Sequence, residues 1–413
     1  MNLHVLACRL AGILSIAACA IFTPPCCFAQ TPDQLHAMFE SDQYFALRDA
    51  TLHTKAPLFY RGAVQASANR RKAAEKILGK VIQAAPHSSE AYEAHGLLSN
   101  LYFRNGLYRE SYRELQAESV EKPDAADVKN AMPLIKALSE YPDQSVVKRT
   151  YSSLPVQGDH LPVRINGLDA KYIFDTGAAI SVLSDQEAKR FGLTPRSIST
   201  KLNEASGSDV TGVRIAVAND FILGNLHLRN VAFIVLPDTR EPFSDVSEEE
   251  RGILGLPVLL AMRTLRWHPK GFFEFGFSPG PLHLPASNLL FHDNTAVVQV
   301  VSQSRPLEFT LDTGAMDTDL NPVFAAAFPD LLKQSGTPEV HSITGVGGTN
   351  SYDSVLLPSV TFEVGGRAVT LKPAHVYTKY GLTSWAAGNL GNDLLHQAQT
   401  ITLDFHSMTL RLQ

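Results

Sequence analysis

The tetrapeptide Asp-Thr-Gly-Ala occurs twice, inside YIFDTGAAISVLS (Tyr172 to Ser184) and again inside FTLDTGAMDTDLN (Phe309 to Asn321). Each copy is followed at nearly the same distance by a second landmark. Gly255, in Ile253-Leu254-Gly255, lies 80 residues after Asp175, and Gly391, in Asn389-Leu390-Gly391, lies 79 residues after Asp312. One such tetrapeptide arises by chance in on the order of 1% of chains this long. Two copies with matched downstream glycines describe a duplicated unit. Between its landmarks each half carries a polar, glycine-containing stretch suited to a hairpin tip, Ala205-Ser206-Gly207-Ser208-Asp209 and Gly345-Val346-Gly347-Gly348-Thr349. After each second glycine, Leu256-Pro257-Val258-Leu259-Leu260 and Asn392-Asp393-Leu394-Leu395 start short helices, Pro257 fitting a first helical turn.

The duplication occupies the later part of a 413-residue chain, long enough for several domains. From Thr31 to about Arg149 the sequence is rich in Ala, Glu, Lys, Arg and Leu with helical apolar spacing. From Tyr151 onward it turns to short alternating stretches such as LPVRING and VAFIVLP, broken by Gly, Pro, Asn and Asp, which read as strands. A turn-forming stretch from Ser278 to Asn288 separates two β-rich halves. The expected division is a leader over 1–29, a helical domain over 30–149, and two β lobes over 150–285 and 286–413. In the helical part Gly62, Ala74, Leu78 and Pro86 recur at Ser99, Ser111, Leu115 and Pro123, each 37 residues on, with Gly106-Leu107-Tyr108 at a turn between helices. That resembles degenerate tetratricopeptide (TPR) repeats, implying a possible protein partner. A helical cap or spacer with amphipathic faces fits the same residues equally well.

Arg9, the apolar run from Leu10 to Phe22 and the small residues before Gln30 read as an export signal cut after Ala29, placing the protein in the periplasm or outside the cell. Ile16-Ala17-Ala18-Cys19 offers the alternative of a lipoprotein anchored at Cys19. All four cysteines, Cys8, Cys19, Cys26 and Cys27, lie in this leader, so a chain cut after Ala29 has no thiol for disulfides or catalysis. No apolar run reaches the roughly 20 residues of a membrane-crossing helix, so the mature protein is expected to have no transmembrane span. A net charge of −5 supplies no basic field for nucleic acid.

Asp-Thr-Gly-Ala with a later hydrophobic-hydrophobic-Gly, present twice, resembles the retropepsin/pepsin superfamily of aspartic proteases, and FTLDTGAMDT and GNLGNDLL are similar to retroviral members. The resemblance covers roughly Pro155 to Gln413 and implies a mainly β, two-lobed acid-protease β-barrel fold, here preceded by an all-α TPR-like domain. Both halves come from one chain. It implies an aspartic endopeptidase with Asp175 and Asp312 as the dyad. Thr176 and Thr313 would brace the lobes, while Gly177 and Gly314 let backbone approach the carboxylates. Ala178, Ala315, Gly255 and Gly391 support the site. Gly207, Gly345, Gly347 and Gly348 are flap candidates. Substrate would be a polypeptide lying extended between the lobes.

The chemistry fits two facing carboxylates sharing a proton, one activating water and the other protonating the oxygen or leaving amine. Ala178 and Ala315 stand where pepsin-like enzymes usually carry a hydroxyl that favours the charged aspartate. Its absence implies a less acidic dyad and an optimum at about pH 4.5 to 6.5. No cofactor or metal is expected: the 14 histidines form no His-Glu-x-x-His motif. Gly345-Val346-Gly347-Gly348 lacks the Lys-Ser or Lys-Thr of a phosphate loop. Two rival readings share these residues: a silent, protease-like peptide-binding scaffold, and a precursor whose helical region covers the cleft.

Overall fold

The computed structural model describes residues 31–413 apart from 53–54, 122, 157–159, 200–201, 204–208, 211, 241–242, 270, 346–347 and 382. The leader with its four cysteines therefore lies outside the described residues, as do Gly207 and Gly347.

Helices occupy the chain from Pro32 to Ser139. The positions related by a 37-residue offset fall at equivalent joints of two successive helix pairs. Gly62 in Leu58–Ser67 lies under Leu78 of Arg71–Ala84, so close that a Cβ would meet Leu78 Cδ2 at 2.4 Å. In the next pair, Ser99 of Ser89–Arg104 donates its hydroxyl to the carbonyl of Ser111 in Tyr108–Glu121 at 3.0 Å. Gly106 turns the chain between these helices at φ +73°, a conformation glycine adopts without steric cost. No helix among the described residues is long and apolar enough to cross a membrane.

The helical region packs on the β part through buried and half-buried polar contacts. Arg104 donates to the Asp293 carbonyl at 2.7 Å and to Asn69 Oδ1 at 3.0 Å, and its burial pulls the guanidinium down to about 9. Gln144 Nε2 donates to the Pro257 carbonyl at 2.8 Å, and His292 pairs with Asp42 at 2.8 Å.

The remainder is mainly β. The first lobe is built on one long sheet that begins with Ser145–Arg149 paired to Leu226–Arg229. The second is built on the sheet that runs from Thr337–Gly345 to Arg367–Leu371. The two repeat one arrangement. In the first, Leu168–Phe174 pairs in parallel with Gly252–Leu254, which pairs antiparallel with Ser181–Ser184. In the second, Arg305–Leu311 pairs in parallel with Gly388–Leu390, which pairs antiparallel with Asp319–Leu320. Short strands that are buried on both faces, such as Val231–Leu236, explain why parts of the sequence read as continuous apolar runs rather than alternation. A third sheet, ordered Ser152–Pro155, Phe272–Phe275, Thr264–Trp267, Ile401–Asp404, Thr409–Leu412, joins the lobes through the pairing of Thr264–Trp267 with Ile401–Asp404. The architecture is therefore the mainly β fold with a helical N-terminal region that the sequence implies.

Candidate active site

Each aspartate sits just beyond the end of a strand, on a loop fixed by the strand pairing beside it. Asp175 donates its amide to the Leu254 carbonyl at 2.9 Å, and Asp312 donates to the Leu390 carbonyl at 3.1 Å. Both loops are closed from behind by the residue after the downstream glycine: the Leu256 amide donates to the Ala178 carbonyl and the Asn392 amide to the Ala315 carbonyl, each at 2.9 Å. Gly255 and Gly391 are required by this closeness. A Cβ on Gly255 would stand 2.5 Å from the Ile180 carbonyl carbon, and one on Gly391 would stand 2.5 Å from the Asp317 carbonyl oxygen. Backbone atoms of a pinned loop cannot yield as a flexible side chain can.

The same logic brings the two loops together. A Cβ on Gly177 would lie 2.8 Å from Asp312 Cγ, and one on Gly314 would lie 2.5 Å from Asp175 Cγ. Each carboxyl thus rests against the glycine of the opposite loop, and the two carboxyls face one another. Thr176 and Thr313, both buried, cross between the lobes: each backbone amide donates to the other threonine's hydroxyl at 3.1 Å.

The carboxyls are held by backbone amides in place of the hydroxyl absent at the fourth position. Gly177 donates to Asp175 Oδ1 at 2.7 Å, while Gly314 and Ala315 both donate to Asp312 Oδ1 at 3.0 Å. Burial drives the Asp175 carboxyl well above the ordinary carboxylate range, the negative charge of Asp312 and a hydrogen bond to its carboxyl push it the same way, and the Gly177 and Ala178 amides pull it back in part.

That direction has a consequence for stability. A carboxyl raised in the folded state is protonated in both states below the unfolded value of about 3.9. As pH rises toward the folded value the folded form holds the extra proton, so stability falls through this window and stays lower above it. Asp175→Asn removes the cost. The variant is expected to be more stable than wild type at pH 7, with the difference shrinking toward pH 3, as read by chemical denaturation across pH. A difference that does not change with pH would contradict the coupling.

Three contributors were given no part in the site by the reading of the sequence. Ser181 and Thr318, each six residues after its aspartate, accept the amides of Gly255 and Gly391 at 3.0 and 2.9 Å. Asn389 donates from Nδ2 to Asp312 Oδ2 at 3.0 Å. Ser181 and Thr318 are hydroxyl residues at matched offsets in the two halves, a signal that alignment of the copies would have exposed.

Of the flap candidates, Gly345 and Gly348 form the last pair of a nine-pair hairpin between Thr337–Gly345 and Gly348–Leu357. In the first lobe a short hairpin pairs Leu202 with Val210 and Asn203 with Asp209, around the segment holding Gly207. Between the second-lobe hairpin and the strand Ala374–Tyr377 lies a cluster that spacing in the sequence did not indicate: Glu339, His341 and His375 bring three ligand-type atoms within 4.8 Å. The two imidazoles stack at 3.7 Å with planes 12° apart, so their in-plane lone pairs do not converge on one point. His375 Nδ1 already pairs with Glu339 Oε1 at 2.6 Å. These contacts describe a hydrogen-bonded stack between the hairpin and the strand Ala374–Tyr377.

Residues 161–258 match the family model described as aspartyl protease. Among solved structures, a retropepsin-like aspartic protease from Rickettsia conorii is similar at 18% identity over 33% of this chain and 96% of that one, with a TM-score of 0.24. No curated protein matches the chain.

Proposed function

We propose that this chain, whose residues 161–258 match the aspartyl protease family model, is a single-chain aspartic endopeptidase acting through Asp175 and Asp312. The observation carrying this reading is the mutual approach of the two carboxyls, each seated on the other loop's glycine. In this reading a water held between them attacks the scissile carbonyl carbon. One carboxylate takes the water's proton while the other carboxyl protonates the carbonyl oxygen, and the proton then passes to the leaving amine as the C–N bond breaks. The substrate is a polypeptide in extended conformation between the lobes, paired through its main chain, with the second-lobe hairpin closing over it to exclude water. The helical region serves as a docking surface for substrate or a partner protein. With an export signal at residues 1–29, the setting is the periplasm or beyond.

The test is cleavage of a diverse unfolded-peptide library by residues 30–413 from pH 3 to 8, with and without a pepstatin-type inhibitor. Cutting with an optimum at about pH 4.5 to 6.5 is expected, because the raised Asp175 carboxyl keeps the shared proton toward neutral pH. A peak near pH 2 would contradict the account of the dyad. Folded protein that cuts nothing, with or without residues 30–149, would leave the scaffold reading in its place.

A further inference from the structure

Many contacts of the two aspartate loops are duplicated, and one that is not falls on a carboxyl. The parallel register that pairs Leu311 with Leu390 also pairs Thr310 with Asn389. At the matching place in the first lobe, Ile173 pairs with Ile253, two apolar side chains with nothing to donate. Asn389 is buried and donates Nδ2 to Asp312 Oδ2 at 3.0 Å. Its orientation is fixed by the Thr310 hydroxyl, which donates to Asn389 Oδ1 at 2.5 Å. A flipped amide would turn its oxygen onto a carboxylate. Asp312 therefore receives donors on both oxygens, whereas Asp175 is held by the amides at Gly177 and Ala178.

We infer that Asn389 is a positioning residue that decides where the shared proton sits: its amide holds Asp312 as the carboxylate, leaving Asp175 as the protonated partner. The inference rests on the dyad reading above and deepens it. A donor aimed at a carboxylate stabilises its charged form, and in a pair that shares one proton, favouring charge on one member favours the proton on the other. In the hydration step the water proton then moves to Asp312 as the C–O bond forms, and the Asp175 proton moves to the carbonyl oxygen. The result is a neutral diol with the pair's single proton transferred from Asp175 to Asp312. Asp175 being held well above its ordinary range agrees with this assignment. The charge acting on Asp175 is that of Asp312. The next acids are Asp317 and Asp319 after the second loop and Asp393 in the helix Asn392–Leu395, of which Asp319 is raised to about 6 by its own burial.

The experiment follows the dyad in Asn389→Ile, which copies the first-lobe residue, and in Thr310→Val, which removes only the orienting hydroxyl. Two readouts are taken on the full mature chain: the pH profile of kcat/KM, and titration of the aspartate carboxyls by carbon-13 NMR, with the Asp312 signal assigned by its loss in Asp312→Asn. In Asn389→Ile the acidic limb and the Asp312 titration are expected to move up together by about one pH unit, the scale of losing one donor to a charged carboxylate. Thr310→Val should move both in the same direction by less. An unchanged Asp312 titration in folded Asn389→Ile overturns the inference. Should that variant fail to fold, an unchanged titration in Thr310→Val overturns it instead. Failure of the dyad reading shows separately, as a wild type that cuts no peptide, while the NMR titration still reports whether Asn389 holds Asp312 charged.

Discussion

Asp175→Asn and Asp312→Asn are each expected to lower kcat/KM by at least about 10³-fold on any peptide that the wild type cuts, within the range that positioned acid–base groups contribute. Asparagine keeps the shape of the side chain and leaves an oxygen to accept the Gly177 or Gly314 amide, so the loops should stay closed. What it removes is the proton traffic. With Asn at 312 no carboxylate remains opposite Asp175 to take the water's proton once Asp175 is protonated. With Asn at 175 no acid remains to protonate the carbonyl oxygen when Asp312 is charged. Both variants should lose activity to a similar degree, because the pair acts as one unit and either loss breaks it. Asp175→Asn should be no less stable than wild type at neutral pH, since it removes a repulsive partner from a buried pair, whereas Asp312→Asn also sets its amide NH2 against the Asn389 donor and gains less. Initial rates and denaturant midpoints on the same preparations check both statements. Retention of even a tenth of wild-type activity in either variant would sink the shared-proton mechanism.

The sequence made the site legible where its determinants are local and repeated. Asp175, Gly177, Asp312 and Gly314 announce themselves because a tight loop carrying a carboxyl needs those residues in that order. Gly255 and Gly391 announce themselves because no other residue fits against the loop backbone. Asn389 was in view within GNLGNDLL but carried no meaning by itself. Its role exists only through the parallel register that sets it beside Asp312, and that register joins residues 79 apart in Thr310 and Asn389. The docking of the helical region was illegible for a related reason. Arg104 reads as an ordinary surface charge on an amphipathic helix, and only the folded chain shows it buried with its head on the Asp293 carbonyl and the Asn69 side chain. The strand Ser145–Arg149 lies ahead of the change in texture near Tyr151, yet it joins the first-lobe sheet because Leu226–Arg229 offers it an open edge.

Thr176→Val is expected to destabilise the protein by about 2 to 5 kcal/mol and to reduce kcat/KM by more than about 10-fold, whereas Thr176→Ser should cost under about 1 kcal/mol and leave most of the activity. The Thr176 hydroxyl accepts the Thr313 amide at 3.1 Å and donates to the Leu311 carbonyl at 2.7 Å. The Thr313 hydroxyl makes the mirrored pair, accepting the Thr176 amide at 3.1 Å and donating to the Phe174 carbonyl at 2.9 Å. Valine has nearly the shape of threonine, so packing survives while one amide and one carbonyl are left buried without partners, each at about 1 to 3 kcal/mol. Serine keeps the hydroxyl and loses only a methyl group. The activity loss follows from position rather than chemistry: each threonine lies between an aspartate and a glycine that touches the opposite carboxyl, so a slackened brace lets the two carboxyls drift apart. Thr313→Val should act alike, since its orphaned groups are the first-lobe equivalents. Denaturant midpoints together with kcat/KM for the Val and Ser variants at both positions decide the matter. Equal losses for Val and Ser would mean that the methyl packing, and not the crossed hydrogen bonds, holds the lobes in register.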